Sequence, residues 1–230
     1  GFNVVANCVV KDNCKIKTLL PNGAKSPTST DFDGDTRSGI VGGVVGMARS
    51  ATVKYCTSSM KLSVGGDFSI VGGIVGSAGY NAVIDHCVYT GGISLVDGLS
   101  AAEMAVGGIL GATTADVETL DVADNHAGIL HVTNCYNNAN LEYTGDIAPT
   151  VHSSFGGIIG VVAKLHPLEA STTRPAVDAV TPYMIYNCHN LYKLGATSTD
   201  LDTVGGIVGK GLATKTGEDN ATMWLQRSSS

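Results

Sequence analysis

A motif of two glycines, two apolar residues and a third glycine occurs five times in this sequence of 230 residues. Its copies are VGGVVG at 41–46, VGGIVG at 71–76, VGGILG at 106–111, FGGIIG at 155–160 and VGGIVG at 204–209. The first glycines of successive copies are 30, 35, 49 and 49 residues apart. Self-similarity at such spacings is typical of solenoids, propellers and other arrays, in which each repeat is one supersecondary unit.

A second pattern lies between the glycine blocks, where an apolar residue is followed three positions later by a cysteine. These cysteines are Cys8, Cys56, Cys87, Cys135 and Cys188. Six residues after them come Cys14, Leu62, Ile93, Leu141 and Leu194, and two further on come Ile16, Val64, Leu95, Tyr143 and Ala196. A step of two between apolar positions is the alternation expected of a β-strand.

Each repeat therefore contains three predicted strands: the glycine block, a segment that ends at the cysteine, and a segment with the alternating apolar positions. Such a unit cannot bury a face alone, whereas stacked copies bury a continuous core. We predict an all-β protein, a right-handed parallel β-helix or solenoid of about five three-stranded coils with loop insertions. The alternative is a propeller, whose blades have four strands in about 40–50 residues, and the shortest spacing of 30 residues favours the solenoid.

The whole of residues 1–230 is predicted to be a single solenoid domain. It divides into a partial coil and an insertion at 1–40, the repeats at 41–209, and a cap and tail at 210–230. Hydrophobic residues make up 43% of the chain, which is enough for a buried core. The net charge of −6 argues against a nucleic-acid partner, which requires a basic face. The absence of a run of 18 apolar residues argues against a transmembrane segment in this chain.

The glycine blocks and the segments ANC, TNCY and YNC resemble the GLUG-motif repeats of bacterial extracellular proteins. The resemblance covers residues 41–209, with a partial repeat at each end, and two coils carry YC or HC instead of NC. It implies a β-helical module that is secreted or attached to the cell surface, as in adhesin-like proteins, with no catalytic residue in the repeat. The opening residues lack the pattern of a secretion signal, which we therefore expect to lie outside this sequence.

The shared repeat position of five cysteines predicts an internal ladder of small buried side chains rather than a disulfide framework. Strands stacked about 4.8 Å apart hold equivalent side chains in parallel, whereas a disulfide requires converging ones. A disulfide between Cys14 and a member of the ladder is the first alternative. A metal site is the second, although no spacing in the chain fits zinc.

The residue before each ladder cysteine is predicted to turn the chain through a left-handed corner. The cysteine and the apolar residue three positions before it differ in strand parity, so both face the core only if a corner intervenes. Asparagine tolerates the left-handed region, and Asn7, Asn134 and Asn187 hold this position, with Tyr55 and His86 as substitutes. The glycine blocks match no phosphate-binding motif and indicate close backbone approaches or bends. Apolar residues occupy both of the alternating positions in each glycine block. Either a bend turns both positions toward the core, or another part of the chain or a partner covers the stripe that faces outward.

Two long insertions, at about 113–130 and 163–183, separate the glycine block from the cysteine in consecutive coils, and we expect them to lie side by side. Loops at one edge can lengthen without disturbing the stacked core, so binding surfaces tend to be placed there. The candidate binding residues are Asp116, Glu118, Asp121, Asp124, His126, His166, Glu169, Arg174 and Asp178. Paired carboxylates in such a loop could cleave a glycan by acid–base chemistry, but a solvated loop is the commoner outcome.

Three alternate carboxylates, Asp31, Asp33 and Asp35, resemble the start of a calcium-binding loop. The sixth and twelfth positions are Thr36 and Gly42, where an EF-hand requires Gly and Glu. We therefore expect a turn, with weakly bound calcium as the only candidate cofactor.

Both ends of a solenoid need caps against edge-to-edge pairing. Lys11, Asp12, Lys15 and Lys17 are expected to form a polar cap at the N-terminal end. At the other end Trp224 is expected to close the open core, and residues 228–230 to be disordered or to lead into more chain.

The sequence favours a non-enzymatic secreted or cell-surface repeat module, adhesin-like or a structural spacer, whose partner is a protein or glycan at the cell exterior. The alternative is a glycan-binding or glycan-cleaving β-helix that uses the insertion edge at 113–130 and 163–183. Sugars stack on aromatic faces, and these insertions hold no Trp or Phe and only Tyr183 at the margin. The glycan alternative is correspondingly weaker.

Overall fold

The computed structural model describes residues 3–19, 39–48, 50–65, 68–79, 81–95, 103–113, 130–143, 153–162, 183–192, 194–196, 203–211, 223–226 and 228–230. Within these ranges every helix or strand assigned is a β-strand, 26 in all. Four complete coils of five strands each lie between two partial coils of three strands each.

The N-terminal partial coil contains β1 (Asn3–Ala6), β2 (Val9–Val10) and β3 (Lys15–Leu19). The first complete coil contains β4 (Gly39–Gly42), β5 (Val45–Ala48), β6 (Ala51–Lys54), β7 (Thr57–Ser58) and β8 (Lys61–Gly65). The second contains β9 (Phe68–Gly72), β10 (Val75–Ala78), β11 (Val83–Asp85), β12 (Val88–Tyr89) and β13 (Ile93–Leu95). The third contains β14 (Glu103–Gly107), β15 (Leu110–Thr113), β16 (His131–Thr133), β17 (Tyr136–Asn137) and β18 (Leu141–Tyr143). The fourth contains β19 (Ser153–Gly156), β20 (Ile159–Val162), β21 (Tyr183–Tyr186), β22 (His189–Asn190) and β23 (Leu194–Ala196), and the C-terminal partial coil contains β24 (Thr203–Gly205), β25 (Val208–Gly211) and β26 (Met223–Gln226).

Five parallel sheets run along the stack, and each strand pairs with the strand five places later in the chain. Sheet 1 begins with β1, sheet 2 with β2, sheet 3 with β3, sheet 4 with β4 and sheet 5 with β5. Equivalent residues of successive coils pair in register, as Val5, Val53 and Ile84 do in sheet 1. The architecture confirms the prediction of a parallel β-solenoid of about five coils.

The glycine block is a bend between two strands, and a complete coil therefore has five strands where three were predicted. In the second coil, β9 ends at Gly72, Gly73 and Ile74 form the bend, and β10 begins at Val75. The bend turns both apolar parities inward, since Ile74 and Val75 are both fully buried. The segment at the cysteine is also divided, because its strand ends two residues before the cysteine and a two-residue strand follows.

The N-terminal coil is two residues longer at one turn than the comparison of the repeats predicted. The column of Leu62 continues into Ile16, not Cys14. Cys14 instead lies exposed in the turn before β3, where its backbone amide donates to the carbonyl oxygen of Lys11 at 3.1 Å.

The C-terminal tail adds a partial rung to the stack, so residues 228–230 are ordered, which corrects the alternative that they are disordered. Ser229 pairs with His189, so Ser228 stands in the column of Cys188. The Oγ of Ser228 accepts a hydrogen bond from the Cys188 amide at 3.2 Å. The cysteine column thus ends in a serine.

The last strand, β26, extends sheet 1, and its backbone register pairs Leu225 with Ile185 and Trp224 with Met184. The side chain of Trp224, which was expected to close the open core, lies outside what the structure describes.

The second glycine of each of the first four blocks is required by a side chain that crosses the coil interior toward it. The crossing residues lie two positions after the ladder cysteines and are Ser58, Tyr89, Asn137 and Asn190. A Cβ placed on Gly73 would overlap the Tyr89 ring and the carbonyl oxygen of Gly108. Only glycine leaves room for both, which confirms the predicted close approach.

The third glycine of each block after the first lets sheets 4 and 5 lie against each other. A Cβ on Gly111 would stand 2.6 Å from the carbonyl oxygen of Gly76 and 2.8 Å from backbone atoms of Val71. Beside this contact a small second core joins the two sheets, and its buried members are Ile70, Ala105, Ala112 and Val161. Gly46 holds the same repeat position in the first strand of sheet 5. A Cβ placed on Gly46 would have the Ile40 carbonyl oxygen, at 3.7 Å, as its nearest neighbour.

The substitutions Gly111→Ala and Gly46→Ala change one repeat position in two coils, and we expect very different effects on stability. At position 111 the added methyl group must displace the backbone of the preceding coil, and such overpacking costs about 1–3 kcal/mol or more. At position 46 the contact distance is ordinary, so that variant should stay within about 0.5 kcal/mol of the parent. Urea unfolding measures both free energies, and equal losses would contradict the close packing of sheets 4 and 5.

Candidate functional site

The residue before each ladder cysteine adopts left-handed backbone geometry, as predicted. The φ angle is 55° at Asn7, 55° at Tyr55, 50° at His86, 53° at Asn134 and 51° at Asn187. A non-glycine residue in this region is uncommon, and its recurrence in five coils makes the corner a fixed part of the repeat. The corner joins sheet 1 to sheet 2 and turns the following cysteine toward the core.

Behind the corner the cysteines form the buried ladder that their shared position predicted. The four with no exposed surface are Cys56, Cys87, Cys135 and Cys188. Each thiol lies near two carbonyl oxygens, one two residues earlier and one in the preceding coil. For Cys135 these belong to Thr133 at 3.1 Å and Ile84 at 3.7 Å. All six cysteines are free thiols, so Cys14 forms no disulfide with the ladder.

Burial disfavours the thiolate form of the ladder cysteines. It raises the pKa of Cys56 to about 11 and the pKa of Cys135 well above its usual value. A hydrogen bond from Cys135 lowers the pKa of its neighbours Cys87 and Cys188, but neither thiol reaches solvent. Because the thiolate is the nucleophile and the metal ligand, the ladder is inert while the protein is folded.

Thiol labelling of the native protein is therefore expected to modify Cys14, and more slowly the half-buried Cys8, and to spare the four buried ladder cysteines. Unfolding without a reductant should expose all six thiols. Counting thiols with a chromogenic disulfide reagent before and after unfolding tests this, with Cys14→Ser as the control that removes the fast-reacting thiol. Fewer than four thiols after unfolding would show that the ladder is oxidised.

A second column inside the coil is polar, a feature that was not predicted from the sequence. Its buried members, two residues after the ladder cysteines, are Ser58, Tyr89, Asn137 and Asn190. Asn137 donates from Nδ2 to Oδ1 of Asn190 at 2.8 Å, and the Tyr89 hydroxyl donates to the Gly92 carbonyl oxygen at 2.6 Å. Burial raises the pKa of Tyr89 far above its usual value. The signal that could have revealed the column is the recurrence of Ser, Tyr or Asn at that position.

On the outside of the corner, polar and aromatic side chains of successive coils contact one another. We define the corner strip as Lys54, Tyr55, Asp85, His86, Thr133, Asn134, Tyr136, Asn187 and His189. The ring centroids of Tyr55 and His86 are 5.1 Å apart with the planes tilted by 39°, and those of Tyr136 and His189 are 5.1 Å apart with the planes tilted by 21°. Tyr55 is 52% exposed and Tyr136 is 36% exposed.

A series of hydrogen bonds connects the corner strip along the axis, and its donors all point toward one carboxylate. Asn134 donates to Oδ1 of Asp85 at 2.9 Å, and Asn187 donates to Oδ1 of Asn134 at 2.8 Å. The Nε2 of His189 donates to Oδ1 of Asn187 at 3.1 Å. The Nδ1 of His189 lies 2.7 Å from the hydroxyl oxygen of Ser229.

Asp85 is the acceptor on which this series ends. It also accepts from the Thr133 hydroxyl at 2.6 Å and lies 2.8 Å from Nδ1 of His86. Partial burial opposes its charge, but the hydrogen bonds from Thr133, Asn134 and His86 outweigh that effect and hold the pKa of Asp85 below its usual value. The strip is thus organised around an ionised carboxylate.

The lowered pKa of Asp85 predicts a loss of stability in acid. A carboxyl whose pKa is depressed by folding stabilises the protein above its unfolded pKa of about 3.9, and this contribution is lost as the pH falls through the folded pKa. Asp85→Asn keeps the shape, removes the charge, and should lower stability at pH 7 by about 1 kcal/mol. Urea midpoints between pH 3 and 7 should then fall less in Asp85→Asn than in the parent or in the control Glu142→Gln, an exposed carboxyl on β18. Equal acid profiles in all three proteins would contradict the assignment.

The strands that flank the two insertions are neighbours in the stack, at the corner between sheets 5 and 1, whereas the insertions themselves, which were predicted to lie side by side, fall outside the described residues. One connects β15 to β16 and the other connects β20 to β21, and these strands pair with each other. The candidate residues on the insertions lie outside the described residues: Asp116, Glu118, Asp121, Asp124, His126, His166, Glu169, Arg174 and Asp178. The calcium candidates Asp31, Asp33 and Asp35 also lie outside them.

Among the residues that the structure describes, no three His, Cys, Asp or Glu side chains converge as a metal site. No helix in these same ranges has the length and apolarity needed to cross a membrane. No family model, curated protein or solved structure matches this chain. The resemblance to GLUG-motif repeats accordingly rests on the sequence motifs.

Proposed function

We propose that this chain is a non-enzymatic repeat module of a secreted or cell-surface protein, and that it acts as an adhesin-like binding element or a rigid spacer. The proposal is supported most by the unbroken register of five parallel sheets. Such a frame holds outward side chains at fixed steps of about 4.8 Å along the axis, which suits an extended binding surface. The likeness to GLUG-motif repeats of bacterial extracellular proteins supports the location.

The cysteine chemistry is compatible with an oxidising exterior. Free cysteines are usual in reducing compartments, and exported proteins usually pair theirs in disulfides. In this chain the four fully buried thiols are shielded from oxidants by the corner and by the neighbouring coils. Only Cys14 is exposed, with Cys8 half-buried at the open end, so the ladder can stay reduced outside the cell.

Bead adhesion and polysaccharide turnover together test the proposed function. Beads carrying the intact chain should be retained on surfaces coated with mucin or with neutral polysaccharide, and beads carrying albumin should not. In single-molecule stretching, a spacer built from parallel ladders should resist force before it unfolds. If the intact chain shows neither adhesion nor resistance to force, the module function is contradicted. Release of new reducing ends from the polysaccharides would contradict its non-enzymatic character.

A further inference from the structure

We infer that the corner strip is a binding site for a neutral glycan chain that lies along the solenoid axis. The inference deepens the proposed function and rests on it, since it names the partner class of the module. The strip occupies one outer corner of four successive coils, where equivalent residues follow one another at about 4.8 Å. A linear polymer with a short repeat can follow such a row, whereas a compact ligand would contact only one or two coils.

The exposed rings supply the apolar part of the site. Tyrosine gives a large, rigid contact surface at a low cost in conformational entropy, and the faces of sugar rings carry C–H groups that stack on aromatic rings. Tyr55 and Tyr136 lie two coils apart, about 10 Å along the axis. Each ring lies against a histidine of the next coil, His86 or His189. The Nζ of Lys54 lies 5.9 Å from the centroid of the Tyr55 ring, so a sugar would stack on the parts of the rings that remain exposed. Both stacking platforms are therefore oriented before any ligand arrives.

Polar groups beside the rings match the hydroxyl groups of a sugar. Asn134 and Asn187 offer amides, His86 an imidazole and Asp85 a carboxylate. Their hydrogen bonds to one another fix their orientations. A preorganised set of donors and acceptors loses less free energy on binding than a flexible one.

The charges of the corner strip favour a neutral ligand. Lys54 and Asp85 are its only Lys or Asp members and have opposite signs, and the whole chain carries a net charge of −6. A polyanionic glycan would lie beside the ionised Asp85, where like charges repel. A protein partner would require a larger continuous apolar centre than two separated tyrosine rings provide.

The corner strip is distinct from the insertion edge. Sheet 1 lies between them, and its strand β16 is three residues long, which separates the two corners by about 10 Å. Shortening the insertions should therefore leave glycan binding at the strip intact. If the insertion edge bound the glycan instead, the same shortening would abolish binding.

Affinity gel electrophoresis tests the inference directly. The intact chain should be retarded in gels that contain at least one neutral polysaccharide among barley β-glucan, xylan, galactomannan and dextran. The double variant Tyr55→Ala/Tyr136→Ala should bind that polysaccharide at least about tenfold more weakly, because aromatic anchors dominate binding energy. Tyr192→Ala is the matched control, since Tyr192 is 49% exposed and lies outside the strip. A chain with 114–129 and 163–182 replaced by the short connection of the second coil is the second control.

The expected result is loss of retardation in the double variant, with parent-like retardation in both controls and parent-like thermal midpoints throughout. Should the double variant unfold, Tyr55→Phe/Tyr136→Phe and Asn134→Ala replace it, with retained binding expected for the first and weaker binding for the second. The inference is overturned if no neutral polysaccharide retards the chain, if only heparin or polygalacturonate does, or if the tyrosine variant binds as well as the parent. If intact beads still adhere in any of these cases, the module function stands and the strip assignment alone is wrong.

Discussion

Backbone hydrogen bonding between parallel strands stacked about 4.8 Å apart is the constraint on which the whole molecule depends. Each coil can bond to the next only if equivalent residues keep their register, so every repeat position becomes a column with one set of steric requirements. The left-handed corner, the buried cysteines and the three glycines of each block are such columns. Length varies only where the chain leaves the sheets, as it does at the two insertions.

The narrow cross-section of the coil explains why its interior is not purely apolar. Five short strands are joined by bends, and each bend leaves carbonyl groups that must find donors. The thiol of Cys135 lies near the carbonyl oxygens of Thr133 and Ile84, and the hydroxyl of Tyr89 reaches the carbonyl oxygen of Gly92. Polar and soft side chains therefore add hydrogen bonds to backbone carbonyls from inside the coil, which valine or leucine cannot do.

Repeat positions at which every coil needs the same kind of residue could be predicted from the sequence. Features that do not recur at one repeat position could not. The parity conflict around Asn134 required a left-handed corner, and the shared position of the cysteines required a ladder. Whether the glycine block bends could not be decided from the sequence, because apolar residues at both alternating positions fit either an inward bend or an outward stripe that something covers. Cys14 was assigned to the column of Ile16 because a shift of two residues preserves strand parity. The corner strip was missed because its rings, Tyr55 before one cysteine and Tyr136 after another, share no column.

The polar column inside the coils makes the repeats non-interchangeable. Asn190 receives its hydrogen bond from Asn137 in the preceding coil, and Tyr89 fills the same position one coil earlier. If recombination deleted the third coil, Tyr89 would become the neighbour of Asn190 and its phenol could not replace the missing amide donor without giving up Gly92. Loss of that coil would therefore leave the buried amide oxygen of Asn190 without its donor, so the order of the coils matters as well as their number.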